Sequence, residues 1–244
     1  MHRNTSHQPA AATVPLQDLM KEAAEFRNVF PKSFRVGDRS VILRPLEATD
    51  REALITFARG LPEDDLLFLQ RDITQPAEVD WWIREAAEGN LVTIVACQDG
   101  AIAGYATFES GRLRWTRHVA ELRVVVATPA RGLGLGGLML ELVFEMALAG
   151  GVTKLIARMT PSQTGAQDLF KRLGFEEEAV LRDHAVGANG IAHDLLVLSF
   201  RPRLHKERCC SSCGAAVLNY LPLEGRQLCL GCYELRYQEL GGEG

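Results

Sequence analysis

Two groups of residues in this 244-residue chain have types and spacings that can do chemistry. The first is the run Arg131-Gly132-Leu133-Gly134-Leu135-Gly136-Gly137. Glycines let a backbone take positive φ and let a ligand approach closely, and the first amides of a helix are unpaired donors with partial positive charge. A loop of this kind at a helix start binds phosphate groups, and a tight turn with close helix-strand packing is the other use of the same glycines. The second group is Cys210-x2-Cys213 and Cys229-x2-Cys232, separated by 15 residues. Each pair can chelate from one knuckle, and the spacing is that of four-thiolate Zn2+ sites. A segment this short draws little stability from a core, so the metal would supply it; reduced thiols or a disulfide are the alternatives. Cys209 leaves the register ambiguous, with Cys210 giving the usual knuckle.

The elements around the glycines follow from periodicity. Leu122, Val124 and Val126 alternate with Glu121, Arg123 and Val125, which predicts a half-buried strand that Thr128-Pro129 ends. Beyond the loop, Leu138, Met139, Leu142, Val143 and Met146 recur at three- and four-residue spacing, as on one face of a helix. Two phosphate-binding readings compete for the loop. Gly132-x-Gly134-x-x-Gly137 has the spacing of a dinucleotide fingerprint, but four residues separate the strand from Gly132, and the next strand, Lys154 to Met159, ends without a carboxylate. The other reading is Arg-x-x-Gly-x-Gly, filled by Arg131, Gly134 and Gly136.

That second pattern resembles the acyl-CoA pyrophosphate loop of the GNAT N-acetyltransferase superfamily, and the resemblance covers roughly Ser40 to Phe200. Ala120 to Val126 looks like the family's fourth strand, Ala166 to Phe175 like its late helix with the Leu-Gly-Phe exit, and Ser40 to Leu46 with Asp50 like its opening strand and helix. The nearest subgroup is the GNAT domain of bacterial protein lysine acetyltransferases. The resemblance implies an α/β (α+β) fold, a mixed and mostly antiparallel sheet flanked by helices. It implies acetyl-CoA as cosubstrate and a primary amine, a protein lysine among the candidates, as acceptor. It makes Glu121 the general base. Backbone amides of Val124, Val125 and Val126, on a strand splayed by a bulge, would receive the pantetheine and acetyl carbonyls. Arg131, Gly132, Leu133, Gly134, Leu135, Gly136 and Gly137 would hold the pyrophosphate. Two positions depart from the pattern: Phe170 stands where many members place a tyrosine acid, and Gln163 where an asparagine is usual. Water or Tyr105 would then protonate the departing thiolate.

The rest of the chain sets bounds. With 47% hydrophobic residues the chain can bury a substantial core, and a net charge of -4 does not favour a nucleic-acid partner. No apolar run reaches the roughly 18 residues of a membrane helix, so a soluble cytoplasmic protein is expected. Residues 1-15 read as a disordered tail and 16-39 as an N-terminal helix, marked by Leu16, Leu19, Met20, Ala23 and Phe26, with a linker. Within a 40-200 domain, Thr49 or Asp50 would cap a helix to Arg59, and Pro76 to Glu88 is a second helix whose Trp81 and Trp82 read as packing. Leu91 to Cys97 and Ala101 to Glu109 form a hairpin through Asp99-Gly100. Strand Thr153 to Met159, helix Ser162 to Leu173 and strands Phe175 to Leu181 and Ala192 to Phe200 follow. Antiparallel strands before the strand-loop-helix unit speak against a dinucleotide fold. His118, His184 and His193 each stand alone, and Cys97 reads as a small apolar residue. Residues 201-208 form a basic linker and 209-244 a zinc-binding module, similar to a treble clef, with a helix over 233-240. Glu224, Glu234 and Glu239 offset its arginines, which favours a protein contact over nucleic acid. Two main functional readings result: an acetyl-CoA-dependent N-acetyltransferase, and a protein that senses acyl-CoA without turnover and relays it through the zinc module.

Overall fold

The computed structural model describes residues 30-202 except 37, 38, 68, 70, 112, 114, 188 and 189, together with 210-213, 221-223, 226-228 and 232. The expected tail 1-15, the helix marked by Leu16 to Phe26, most of the 201-208 linker, Cys209, Cys229 and the helix over 233-240 lie outside the described residues. Eight strands form one sheet in the order β1-β2-β3-β4-β5-β6-β8-β7. They are β1 (Lys32–Val36), β2 (Arg39–Pro45), β3 (Leu91–Gln98), β4 (Ala101–Ser110), β5 (Val119–Val126), β6 (Lys154–Met159), β7 (Glu176–Val186) and β8 (Ala192–Phe200). The helices are α1 (Arg51–Arg59), α2 (Glu63–Leu67), α3 (Pro76–Glu88), α4 (Leu135–Ala149) and α5 (Thr164–Arg172). Strands β9 (Leu221–Leu223) and β10 (Arg226–Leu228) pair in a separate two-stranded sheet. No helix among the described residues is long and apolar enough to cross a membrane.

Alternation on the strands divides the apolar residues between two cores. On one face Ala120 and Leu122 of β5 pack with Met139, Leu140, Val143 and Phe144 of α4. Phe144, Phe175 and Phe200 meet with ring centroids 4.9–6.2 Å apart, joining α4 to the strands beyond it. On the other face α1 and α3 cover the sheet through Leu54, Phe57, Val79, Trp82 and Tyr105. The β3-β4 turn has φ of 51° at Asp99 and 80° at Gly100, as a type I′ hairpin requires.

All described strand pairs are antiparallel except one. β5 and β6 run parallel and pair only through Val119↔Lys154, Ala120↔Leu155 and Glu121↔Ile156. β5 continues against β4 to Val126↔Gly104, while β6 continues against β8 to Met159↔Leu196. The sheet therefore opens between β5 and β6. One parallel pair in eight strands is incompatible with a doubly wound dinucleotide fold.

Three details differ from expectation. The strand β1, in a stretch read as linker, pairs antiparallel with β2; its period-2 pattern of Phe34 and Val36 is too short to be distinctive. The β4-β5 register runs without a shift, so the opening needs no bulge there, and the irregularity lies instead between β3 and β4 at Ala96/Cys97. Asp50 does not cap α1; its carboxylate turns back to the Glu47 N–H at 2.9 Å and to Arg44 at 2.6 and 2.7 Å. Burial opposes its ionisation, yet Arg44 and that N–H hold it below the usual carboxylate range.

The carboxyl of Glu145 on α4 is pushed up to about 7 by burial, with Glu141 adding to the effect and Lys32 opposing it. The native state then binds a proton that the unfolded state has released between about pH 4.5 and 7, so stability falls as pH rises through that window. Glu145→Gln should gain about 1–3 kcal/mol over the wild type at pH 8 and nearly nothing at pH 4, read from urea denaturation at the two pH values.

Candidate active site

The glycine loop is anchored at both ends. Arg131 donates from Nε to the Val126 carbonyl at 2.9 Å and pairs with Asp65 of α2, so its guanidinium ties the loop to the end of β5. Gly134 has φ of 89° and is the N-cap of α4, whose first intrahelical bond runs from Leu138 N–H to the Gly134 carbonyl at 3.1 Å. The amides of Leu135, Gly136 and Gly137 thus precede the helix's hydrogen-bond ladder at its positive end. A Cβ at Gly136 would stand 3.3 Å from Val126 Cγ2, so glycine lets α4 close on β5.

A groove of about 710 Å3 fills the opening between β5 and β6. Its walls are Val124, Val125 and Val126 on one side, Ala157, Arg158 and Met159 on the other, with Arg131, Gly132, Gly134, Leu135, Gly136 and Gly137 at its end and α5 alongside. Leu133 is exposed and is the one predicted loop residue absent from the lining. Phe170 lines the groove while its ring meets Phe175 edge-on at 5.0 Å, so this position packs and donates no proton. The Gln163 side chain accepts the Thr160 N–H at 2.9 Å and shapes the turn into α5.

A second, smaller cavity of about 50 Å3 lies on the α3 face of the sheet. Leu69, Ile73, Trp81, Trp82, Leu91 and Tyr105 make its apolar walls, and Arg71, Thr107, Glu109, Glu121 and Arg123 its polar ones. Leu69 and Arg123 line both spaces, so cavity and groove adjoin. Glu121 lines the small cavity and not the groove, at the last paired position of β5 with β6, with its side chain 11% exposed. It accepts Arg123 Nη2 at 3.0 Å, and Arg158 Nη2 and Nε at 2.5 and 3.2 Å across the split.

Trp82 packs as the sequence suggests, donating to Thr93 Oγ1 at 3.0 Å, but both tryptophans also line the cavity. Burial pushes the Tyr105 phenol up to about 12, with Arg123 opposing; it faces the small cavity and not the groove. His118, His184 and His193 line neither space, and burial pushes the half-buried Cys97 thiol up. Sequence reasoning missed Arg71, Thr107 and Glu109. The register could have shown two of them, since Glu109 faces Glu121 and Thr107 faces Arg123 across the β4-β5 ladder.

In the C-terminal segment the sulfurs of Cys210, Cys213 and Cys232 lie within 4.8 Å of one another, and the Ser212 N–H reaches Cys210 Sγ at 3.4 Å. Three converging thiols can hold a thiophilic cation; Cys229, the predicted fourth ligand, is outside the described residues.

Residues 56–175, from α1 to the Phe175 exit, match the acetyltransferase (GNAT) family model, and this part of the chain is a GNAT-family acetyltransferase domain. Acetyl-CoA is the cosubstrate of acetyltransferases of this family. The L-methionine sulfoximine/L-methionine sulfone acetyltransferase of Pseudomonas paraeruginosa is 30% identical over 97 residues, 39% of this chain and 56% of that protein. The chain thus spans little more than half the length of that relative. Among solved structures, the ribosomal-protein-alanine N-acetyltransferase of Brucella melitensis is 26% identical with a TM-score of 0.59, over 65% of this chain and 98% of that one. A putative acetyltransferase of Salmonella typhimurium, solved with its cofactor acetyl-CoA, shares the fold at 20% identity and a TM-score of 0.58, over 66% and 93% of the two chains.

Gly134→Ala would force a side chain into φ of 89° at the start of α4. The strain is about 1 kcal/mol or more, and acetyl-CoA affinity by calorimetry should weaken roughly 5- to 10-fold as the loop shifts.

Proposed function

We propose that the chain is an acetyl-CoA-dependent N-acetyltransferase that moves the acetyl group to a primary amine by direct attack, with Glu121 as general base. The observation that carries this reading is the place of Glu121, which lines the small cavity and is bonded to Arg123 and Arg158, two residues of the groove wall. The pyrophosphate takes the amides of Leu135, Gly136 and Gly137 and the positive end of α4. Pantetheine lies along the edge of β5 at Val124, Val125 and Val126, where the ladder with β6 has ended. An amide there receives the thioester carbonyl as it gains negative charge.

The acceptor enters from the cavity. Glu121 takes the proton as the amine nitrogen bonds to the carbonyl carbon, the C–S bond breaks, and the thiolate leaves. Water supplies its proton, since Phe170 has none to give and Tyr105 faces the acceptor side with its phenol near 12. Arg123 and Arg158 fix the orientation of the base. A lysine side chain is one amine of this kind, with a stem suited to the tryptophan wall. Use of acetyl-CoA, and thiols not joined in disulfides among the described residues, fit the cytoplasm.

The replacement of tyrosine by Phe170 favours a second reading, acyl-CoA sensing without turnover. Turnover separates the two. Glu121→Gln should lower kcat/KM roughly 100-fold or more while the Kd for acetyl-CoA stays within about 3-fold. Unchanged turnover would remove Glu121 from the mechanism.

The proposal includes Zn2+ held by Cys210, Cys213, Cys229 and Cys232 as a structural ion in a module that contacts a protein partner. Its support is the paired spacing and the convergence of three thiols. Reduced, purified protein should carry about one equivalent of zinc, and Cys232→Ser should lower it; less than about half an equivalent in the wild type would refute the site.

A further inference from the structure

The glycine-loop end of the groove carries an anion of the protein's own. The charged lining of the groove, among the described residues, is Asp65, Arg123, Arg131, Arg158, Asp168 and Arg172. Arg123 and Arg158 pair with Glu121 at the apex of the split, and Asp168 and Arg172 lie one turn apart on α5. Arg131 belongs to the loop itself, and its partner is Asp65 of α2. The neighbouring acids of that helix, Glu63 and Asp64, are exposed and outside the lining, whereas the Asp65 side chain is 26% exposed and lines the groove. The two ends of the Arg131 guanidinium have different tasks. Nε donates to the Val126 carbonyl at 2.9 Å and fixes the group to β5, while Nη2 donates to Asp65 Oδ2. The outer nitrogens are therefore the part of the fork that can exchange one anion for another without releasing the loop.

We propose that Asp65 is an internal competitor for the pyrophosphate of the cosubstrate, and that it sets how tightly acetyl-CoA and CoA are held. This rests on the acetyl-transfer reading of the same groove. In the free protein the Asp65 carboxylate neutralises Arg131. When acetyl-CoA enters, the outer nitrogens of Arg131 turn from the carboxylate to a phosphate oxygen, and they return to Asp65 when CoA leaves. No bond is made or broken in the exchange. Binding must separate the ion pair and bring the phosphates near a carboxylate of like sign, so the affinity is lower than the loop amides and Arg131 would give alone.

The competition has a use in turnover. Acetyl-CoA and CoA carry the same pyrophosphate, so contacts made there hold substrate and product equally and do nothing for the step at the thioester. A site with an unopposed cation and a helix N-terminus would retain CoA. A carboxylate that reclaims Arg131 favours departure of the product.

The test is calorimetric titration of the full-length protein and its Asp65→Asn, Asp65→Ser and Asp64→Asn variants with acetyl-CoA and with CoA at low salt. Both Asp65 variants should bind both ligands about 3- to 10-fold more tightly than the wild type, by a common factor for the two ligands. Asp64→Asn should stay within about 1.5-fold of the wild type, which separates a placed carboxylate from a change in net charge. Asp65 variants that bind as the wild type does, or more weakly, would show that the carboxylate only braces the loop. That result would overturn the proposal and leave the acetyl-transfer reading standing. A gain matched by Asp64→Asn, or confined to acetyl-CoA, would overturn it as well. No binding of either ligand by any of the four proteins would overturn both.

Discussion

The site depends on the parting of β5 from β6. Three residue pairs hold the two strands together, and after Glu121↔Ile156 each follows a different partner. β5 stays with β4 because their ladder continues to Val126↔Gly104, and β6 is held by β8. Backbone groups released in this way are costly if nothing replaces their partners, unless water or a ligand reaches them. An open sheet edge ending in a helix N-terminus suits a cosubstrate with amide-like carbonyls at one end and phosphates at the other. The glycine loop thereby becomes part of a longer surface instead of an isolated anion site.

Keeping the opening wide requires that the two halves of the sheet not slide back together. The aromatic contacts of Phe144 with Phe175 and Phe200 fasten α4 to the far half, while Met139 and Leu140 bury α4 against the near half. Arg158 and Glu121 add a polar tie at the apex of the split. That tie also holds the Glu121 carboxylate at the small cavity it lines. The small cavity is framed by α3 and the connection that precedes it.

Much of this was legible in the sequence because the signals were local. Pro76 and the glycine after Glu88 bracket α3, Asp99-Gly100 marks the hairpin, and the strand-glycine-helix unit carries its pattern within a few residues. Strand β1 was missed because five alternating residues next to a turn resemble a linker. The cap role given to Asp50 failed because Arg44, six residues earlier, offered the carboxylate a stronger partner than a helix amide. The small cavity was the least legible part. Its charges come from β4, β5 and the connection before α3, and only the strand register and the fold bring Glu109 and Arg71 to the same space. The ion pairing of Glu121 with Arg158, 37 residues away, was hidden for the same reason.

The most direct test of the central claim is calorimetric titration of the intact protein with acetyl-CoA, followed by NAD. The opening between β5 and β6 with the α4 N-terminus predicts saturable, one-to-one binding of acetyl-CoA and none of NAD. Absence of acetyl-CoA binding, or equal binding of NAD, would contradict the account.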